Sequence, residues 1–254
     1  MSAKVDPFDS PKYRLEHAKR HAQAIRDDFA AFLGGKPYVL TREDDPGAKQ
    51  EVLKIKLVKP LPSSIRGHAD DAFGNLRSSL DQVGYVVARA SGGRGKKCSF
   101  PFGDNETEAR SRATGNSNEL PAEIFDLMIS FQPYAGGDDL LWALNEICNT
   151  GKHRLVRPVF AIVGGLSMQN VRLSGSVSIP GMWDSSKNEV VIATIGEGGS
   201  FSADDLQVSP DVVLDDIKVV GGQPVLGVFD ALASKVERAI TAVEAEGRRI
   251  GLFT

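Results

Sequence analysis

Two groups of polar residues have the types and spacing that chemistry requires. The first, Asn75, Arg77, Asp81 and Gln82, lies inside an apolar-periodic stretch from Ser63 to Ala90. At 100° per residue, Arg77 and Asp81 fall on one flank of a stripe centred on Leu76, and Asn75 and Gln82 fall on the other. Arg77 and Asp81 stand at i, i+4 and can pair, which on an exposed surface contributes only about 0.3–0.5 kcal/mol. The second group is LNEICNTGKHR, Leu144 to Arg154. Asn145 and Asn149 share one helical line, and a helix continuing through Gly151 would add His153 to it, with Glu146 alongside. Lys152 and Arg154 flank His153, a side chain able to exchange protons near neutral pH.

Two chemistries follow. In one, Arg77, Lys152 or Arg154 holds a phosphate and His153 is the general acid or base of a metal-independent phosphodiester hydrolysis. In the other, Asn75, Arg77, Asp81, Gln82, Asn149, Lys152 and Arg154 form a polar network that fixes helix packing or binds a partner, and the basic run complements a helix C-terminus. Other signatures are weak. His17 and His21 are an i, i+4 pair without the HExxH pattern, so no zinc site is expected. SGGRGKK, Ser91 to Lys97, lacks Walker spacing and reads as a helix stop followed by a basic turn. The glycines of IVGGL fit a strand bend better than a nucleotide fingerprint. Cys98 and Cys148 are too few for a disulfide framework and read as packing residues.

The elements that must position these groups are legible from periodicity. Leu15, Ala18, Ala22, Ile25, Phe29 and Phe32 form one helical stripe over Tyr13–Leu33, stopped by Gly34-Gly35. On this helix Arg14, His21 and Asp28 fall on one line at the edge of the stripe. Tyr38–Arg42 and Glu51–Val58 predict a hairpin around Asp45-Pro46-Gly47. A long helix over Ser63–Ala90 presents Ile65, Ala69, Ala72, Phe73, Leu76, Leu80, Val83 and Val87. KCSFPF is read as a short extended segment, and Asp104–Asn118 as a surface excursion with a short helix at Glu106–Arg112. Helices follow at Pro121–Phe131 and from Asp138 or Asp139 to about Gly151. Strands are predicted at Val156–Ile162, Val171–Ile179, Val190–Ile195 and Val212–Val220, and a last helix from Pro224 carries Val225, Val228, Leu232, Val236, Ala239 and Val243.

This order predicts an α+β fold, a helical layer packed on a mainly antiparallel sheet. One domain of 254 residues is expected, with a helical half to about residue 155, a strand-rich half over about 156–223 and a closing helix. A division near Val156 is the alternative. The net charge of −3, without a dense Lys/Arg run, argues against a broad duplex nucleic-acid surface. No apolar leader or membrane-length run is present, so a cytoplasmic protein is expected.

The segment DAFGNLRSSLDQVGYVVA, from Asp71, resembles a helix motif reading NLRSALDHL in uncharacterised bacterial and phage proteins. In those proteins a later segment reads Asn, two or three residues, then DKHR. Asn149-Thr150-Gly151-Lys152-His153-Arg154 resembles that segment, with Gly151 where the family has Asp. FPF at Phe100–Phe102 and QPY at Gln132–Tyr134 fall between the two in matching order. The resemblance covers roughly Ala72–Leu155 and implies membership of a phage-associated or bacterial family without a known activity. The first motif is also similar to the Arg-x4-6-His signature of HEPN-type ribonucleases, which implies phosphate binding by Arg77. Gln82 stands at the His position and has no titratable proton. Arg14 and His21 satisfy Arg-x6-His on another helix.

The favoured expectation is a cytoplasmic binding or interaction module whose polar motif residues are mainly structural. The alternative is a HEPN-like ribonuclease or other phosphodiester hydrolase using His153 and Arg77. RNA or another phosphate-containing ligand and self-association into a homo-oligomer are the partners left open, and no cofactor, metal or membrane partner is expected.

Overall fold

A computed structural model describes residues 6–151, 158–178, 183–184, 186–215 and 217–253. The fold is α+β: six α-helices and, in the larger sheet, antiparallel pairing throughout, among the described residues. In chain order these are α1 (Asp9–Gly34), β1 (Tyr38–Asp45), β2 (Gln50–Leu57), α2 (Ser63–Ala90), α3 (Glu106–Ser111), α4 (Ala122–Ser130), α5 (Asp139–Gly151), β3 (Pro158–Ser174), β4 (Val177–Ser178), β5 (Trp183–Asp184), β6 (Glu189–Gly196), β7 (Ser200–Leu214) and α6 (Val225–Arg249). Tertiary contacts group them into two compact units, one of residues 1–26, 66–157 and 214–254, the other of residues 27–65 and 158–213.

The first unit is helical. Leu15, Ala18 and Ala22 of α1 and Ala69, Phe73, Leu76, Leu80, Val83 and Val87 of α2 are all buried, as their spacing requires. Helix α6 packs against α4 and α5, burying Val228, Leu232, Val236 and Val243. Phe73 meets Phe229 edge-on at 6.2 Å between ring centroids, joining α2 to α6. Helix α1 begins at Asp9, earlier than its apolar stripe demands. Just ahead of it the Asp6 carboxylate accepts from the Phe8 amide at 2.9 Å, satisfying a donor near the helix start. Gly84 of α2 lies against the next segment, since a Cβ there would sit 1.7 Å from the Cys98 carbonyl oxygen.

The second unit holds the sheet, in the order β1-β2-β6-β4, with β5 also pairing β6. The β1–β2 hairpin runs in unbroken register from Tyr38↔Leu57 to Asp45↔Gln50. A bulge at Leu53/Lys54 interrupts β2–β6. Leu53, Ile55, Val190, Ile192, Ala193, Ile195 and Phe201 make its core. Lys54 bridges Glu43 at 2.7 Å and the buried Glu189 at 3.2 Å, tying three strands together. Strands β3 and β7 form a separate two-stranded sheet, and Phe29 and Phe32 of α1 pack about Phe160 of β3.

The strand boundaries differ from the periodicity reading. The described part of the expected strand Val156–Ile162 and the start of Val171–Ile179 lie in one continuous β3, so neither Gly164-Gly165 nor Asn170 ends it, while Val177–Ser178 form the separate β4. Strand β7 covers Ser200–Asp211, which apolar alternation missed because Asp204 and Asp205 interrupt it. The expected strand Val212–Val220 stops at Leu214, where Leu214 N–H donates to the Gln223 carbonyl at 3.0 Å and its carbonyl accepts from Gly222 N–H at 2.7 Å, turning the chain back.

Candidate functional site

The Arg77 guanidinium is one part of a three-part lock. Its carbon lies 4.4 Å from the centroid of the Phe102 ring, and its Nη1 is 2.5 Å from Asp81 Oδ1. That contact is an ion pair by distance but lacks the alignment of a hydrogen bond, and Nη1 is buried without one. Asp81 Oδ1 in turn accepts from the Phe100 amide at 3.1 Å. One turn of α2 therefore fastens the FPF segment through a carboxylate and a guanidinium at once.

The opposite flank of α2 turns to α1. Asn75 Oδ1 accepts from Arg14 Nη1 at 3.1 Å, and its amide donates to the Asp71 carbonyl at 2.8 Å. Gln82 Oε1 accepts from the Ser10 hydroxyl. Fully buried Ser79 donates to the Pro11 carbonyl at 2.7 Å. Asn75 and Gln82 are thus joined to the first helix, away from Arg77, and the four side chains of the motif divide between two neighbours.

Arg77 also lines a polar cavity of about 350 Å³ with Asn145, Glu146 and Asn149 of α5, so both sequence groups reach one space. Its remaining wall comes from Ser99, Phe100 and Phe102 to Asp104, and from Glu108, Arg112, Asn116 and Ser117. These last residues belong to the segment expected to be a surface excursion. The segment is mostly exposed and carries the expected short helix, α3, whose start Asn105 caps by accepting from Glu108 N–H at 2.9 Å, while the Glu108 carboxylate accepts from Asp104 N–H at 3.0 Å. Arg112 donates to the Phe102 carbonyl at 3.2 Å and pairs with Glu108 at 2.7 Å. Ser117, buried, donates to the Ser99 carbonyl at 2.7 Å. The QPY segment reaches the same wall, where Gly103 N–H donates to the Pro133 carbonyl at 3.3 Å and Gly103 bridges Tyr134. Ser99, Asn116 and Ser117 carried no sequence signal; the short helix expected at Glu106–Arg112, with Asn105 as its N-cap, was the visible hint of this wall.

The charges around the cavity are mixed. Both arginines are already paired within the chain, Arg77 with Asp81 and Arg112 with Glu108, and Asp104, Glu108 and Glu146 add carboxylates. Among the described residues the side-chain amides of Asn116, Asn145 and Asn149 make no hydrogen bond inside the chain. Lys152, His153 and Arg154 lie outside the described residues.

Other hollows among the described residues lack this convergence. One of about 510 Å³ opens beside Ser10, Asp81, Gln82, Tyr85 and Cys98, and burial, followed by the Glu119 and Asp81 carboxylates, pushes the Cys98 thiol pKa up, away from a reactive thiolate. One of about 460 Å³ lies between the turns at one end of the sheet, where Arg42 is paired with Glu51 and Lys49 with Glu197. The SGGRGKK turn is a backbone nest filled from within: amides of Gly95, Lys96 and Lys97 donate to the Glu119 carboxylate at 2.5–3.3 Å. Among the described residues no group of three or more His, Cys, Asp or Glu side chains is placed to hold a metal ion, and no helix is long and apolar enough to cross a membrane.

The chain matches no protein-family model, no curated protein and no solved structure.

Proposed function

We propose that the chain is a binding module in which the α2 motif residues hold the helices in register and the cavity beside Arg77 receives a small polar ligand. The observation that carries this reading is the division of labour among the polar groups. Arg77, Asp81, Asn75 and Gln82 are all engaged within the chain, whereas the carboxamides of Asn116, Asn145 and Asn149 line the cavity as donors and acceptors without side-chain hydrogen bonds among the described residues. Recognition there rests on amide hydrogen bonds, since the wall's two arginines are neutralised by their own carboxylates.

A second reading draws on the meeting of Arg77 and Asn149 in one cavity. In it the protein hydrolyses a phosphodiester, Arg77 holds the phosphate and His153 transfers the proton. Purified protein and the variant His153→Ala, incubated with single-stranded RNA, separate the two. The binding reading predicts no cleavage by either, together with a thermal shift on adding mononucleotides or neutral polar ligands that Asn145→Ala with Asn149→Ala removes. Cleavage by wild type that His153→Ala reduces by 100-fold or more, on the order expected for loss of a general acid or base, would replace it with the hydrolase.

A further inference from the structure

Three of the four histidines gather where α1 meets α2. His17 and His21 meet edge to face one turn apart on α1, ring centroids 5.0 Å apart and 62° between planes. His21 then meets His68 of α2, at 5.5 Å between centroids and 3.2 Å between the two Nδ1 atoms. Tyr13 covers the far side of His17 at 5.8 Å. The charged and titratable groups that face His21 are His17 on its own helix and His68 and Asp71 on α2. Asp71 Oδ2 is 3.8 Å from His21 Nδ1 and largely exposed, so water screens it.

An Nδ1 to Nδ1 contact at this distance is a hydrogen bond only while one nitrogen donates and the other keeps its lone pair. Two imidazolium rings would set N–H against N–H and cation against cation. His17 adds a second constraint, because its Nδ1 is buried with no hydrogen-bond partner among the described residues, and in the imidazolium that nitrogen would be an unsatisfied donor. We propose that His17, His21 and His68 form a proton-responsive joint between α1 and α2, closed with neutral rings and loosened when more than one ring takes up a proton. The direction for His21 agrees: burial lowers its pKa, Asp71 opposes this, and His17 and His68 add to the lowering. A base depressed in the folded state leaves the unfolded chain binding more protons, so stability falls as pH drops below the ordinary value near 6.5. The hydrogen bonds Arg14–Asn75 and Ser79–Pro11, on the same pair of helices, keep the N-terminal end of α1 attached.

The test is the pH dependence of thermal unfolding for wild type, His21→Gln and His153→Gln, with the imidazole proton resonances of the wild-type protein followed by NMR. Between pH 7.5 and 5.5 wild type and His153→Gln should lose about 2–4 °C more in Tm than His21→Gln, and at least one resonance of the three should titrate below 6.5. Equal pH dependence in wild type and His21→Gln overturns the joint. So do three histidines titrating independently at or above 6.5, a result that stands even if His21→Gln does not fold.

Discussion

Lys12 shows how a single side chain couples distant parts of the helical unit. Its ammonium lies 2.8 Å from Asp6 and 2.7 Å from Glu244 on α6. The hydrogen bond from Lys12, then that from the Phe8 amide, holds Asp6 below its ordinary 3.8. Burial pushes Glu244 up, but Lys12 and Arg248 together outweigh it, leaving a net lowering from 4.5. Carboxylates depressed in the folded state contribute stability that is present above their ordinary values and lost as pH falls through the folded ones. Lys12→Met should therefore flatten the loss of Tm between pH 5 and pH 3 relative to wild type, and parallel curves would remove Lys12 from the acid response. Glu119 illustrates a residue whose role periodicity could not disclose. The SGGRGKK stretch reads as a helix stop followed by a basic turn, and the anion it cradles is the chain's own Glu119 carboxylate, 24 residues from Gly95.

At the scale of elements, α2 was the most legible part of the chain because a 3.6-residue period needs no tertiary information. Its buried stripe from Ile65 to Val87 is the one that its spacing predicts. The same geometry separated Arg77 and Asp81 from Asn75 and Gln82 before either flank had a partner. What α2 touches was not legible, since Ser10, Arg14, Phe100 and Phe102 come to it from other elements. Gly84 records the closest of these approaches. Gly84→Ala drives a methyl into the Cys98 carbonyl, and moving that segment should cost about 1–3 kcal/mol as overpacking. Chemical denaturation would read it as a lower midpoint, with hydrogen exchange rising at Ser99–Phe102; an unchanged midpoint would mean that the contact is not close. The histidine joint and the cavity wall were hidden for a related reason. His17 and His21 are visible as a pair, but His68 joins them only through the packing of two helices, and Ser99, Asn116 and Ser117 follow no period.

For the whole molecule, the α+β class followed from the order of periodic segments, but strand limits did not. Strand β7 carries Asp204 and Asp205 and so breaks the apolar alternation on which a strand reading depends. The division into two units was equally hard to see, because 27–65 and 158–213 are far apart in sequence. Within the helical unit the central claim is that Arg77 holds structure together, by its ring contact with Phe102 and its pairing with Asp81. A cation over a buried ring contributes about 0.5–2 kcal/mol, and the partly exposed ion pair adds a fraction of that. The thermal unfolding midpoint of Arg77→Ala, measured beside wild type without ligand, tests this most directly. The structural lock predicts a fall of about 2–8 °C; an unchanged or higher midpoint would contradict it and mark Arg77 as a residue kept for ligand or substrate.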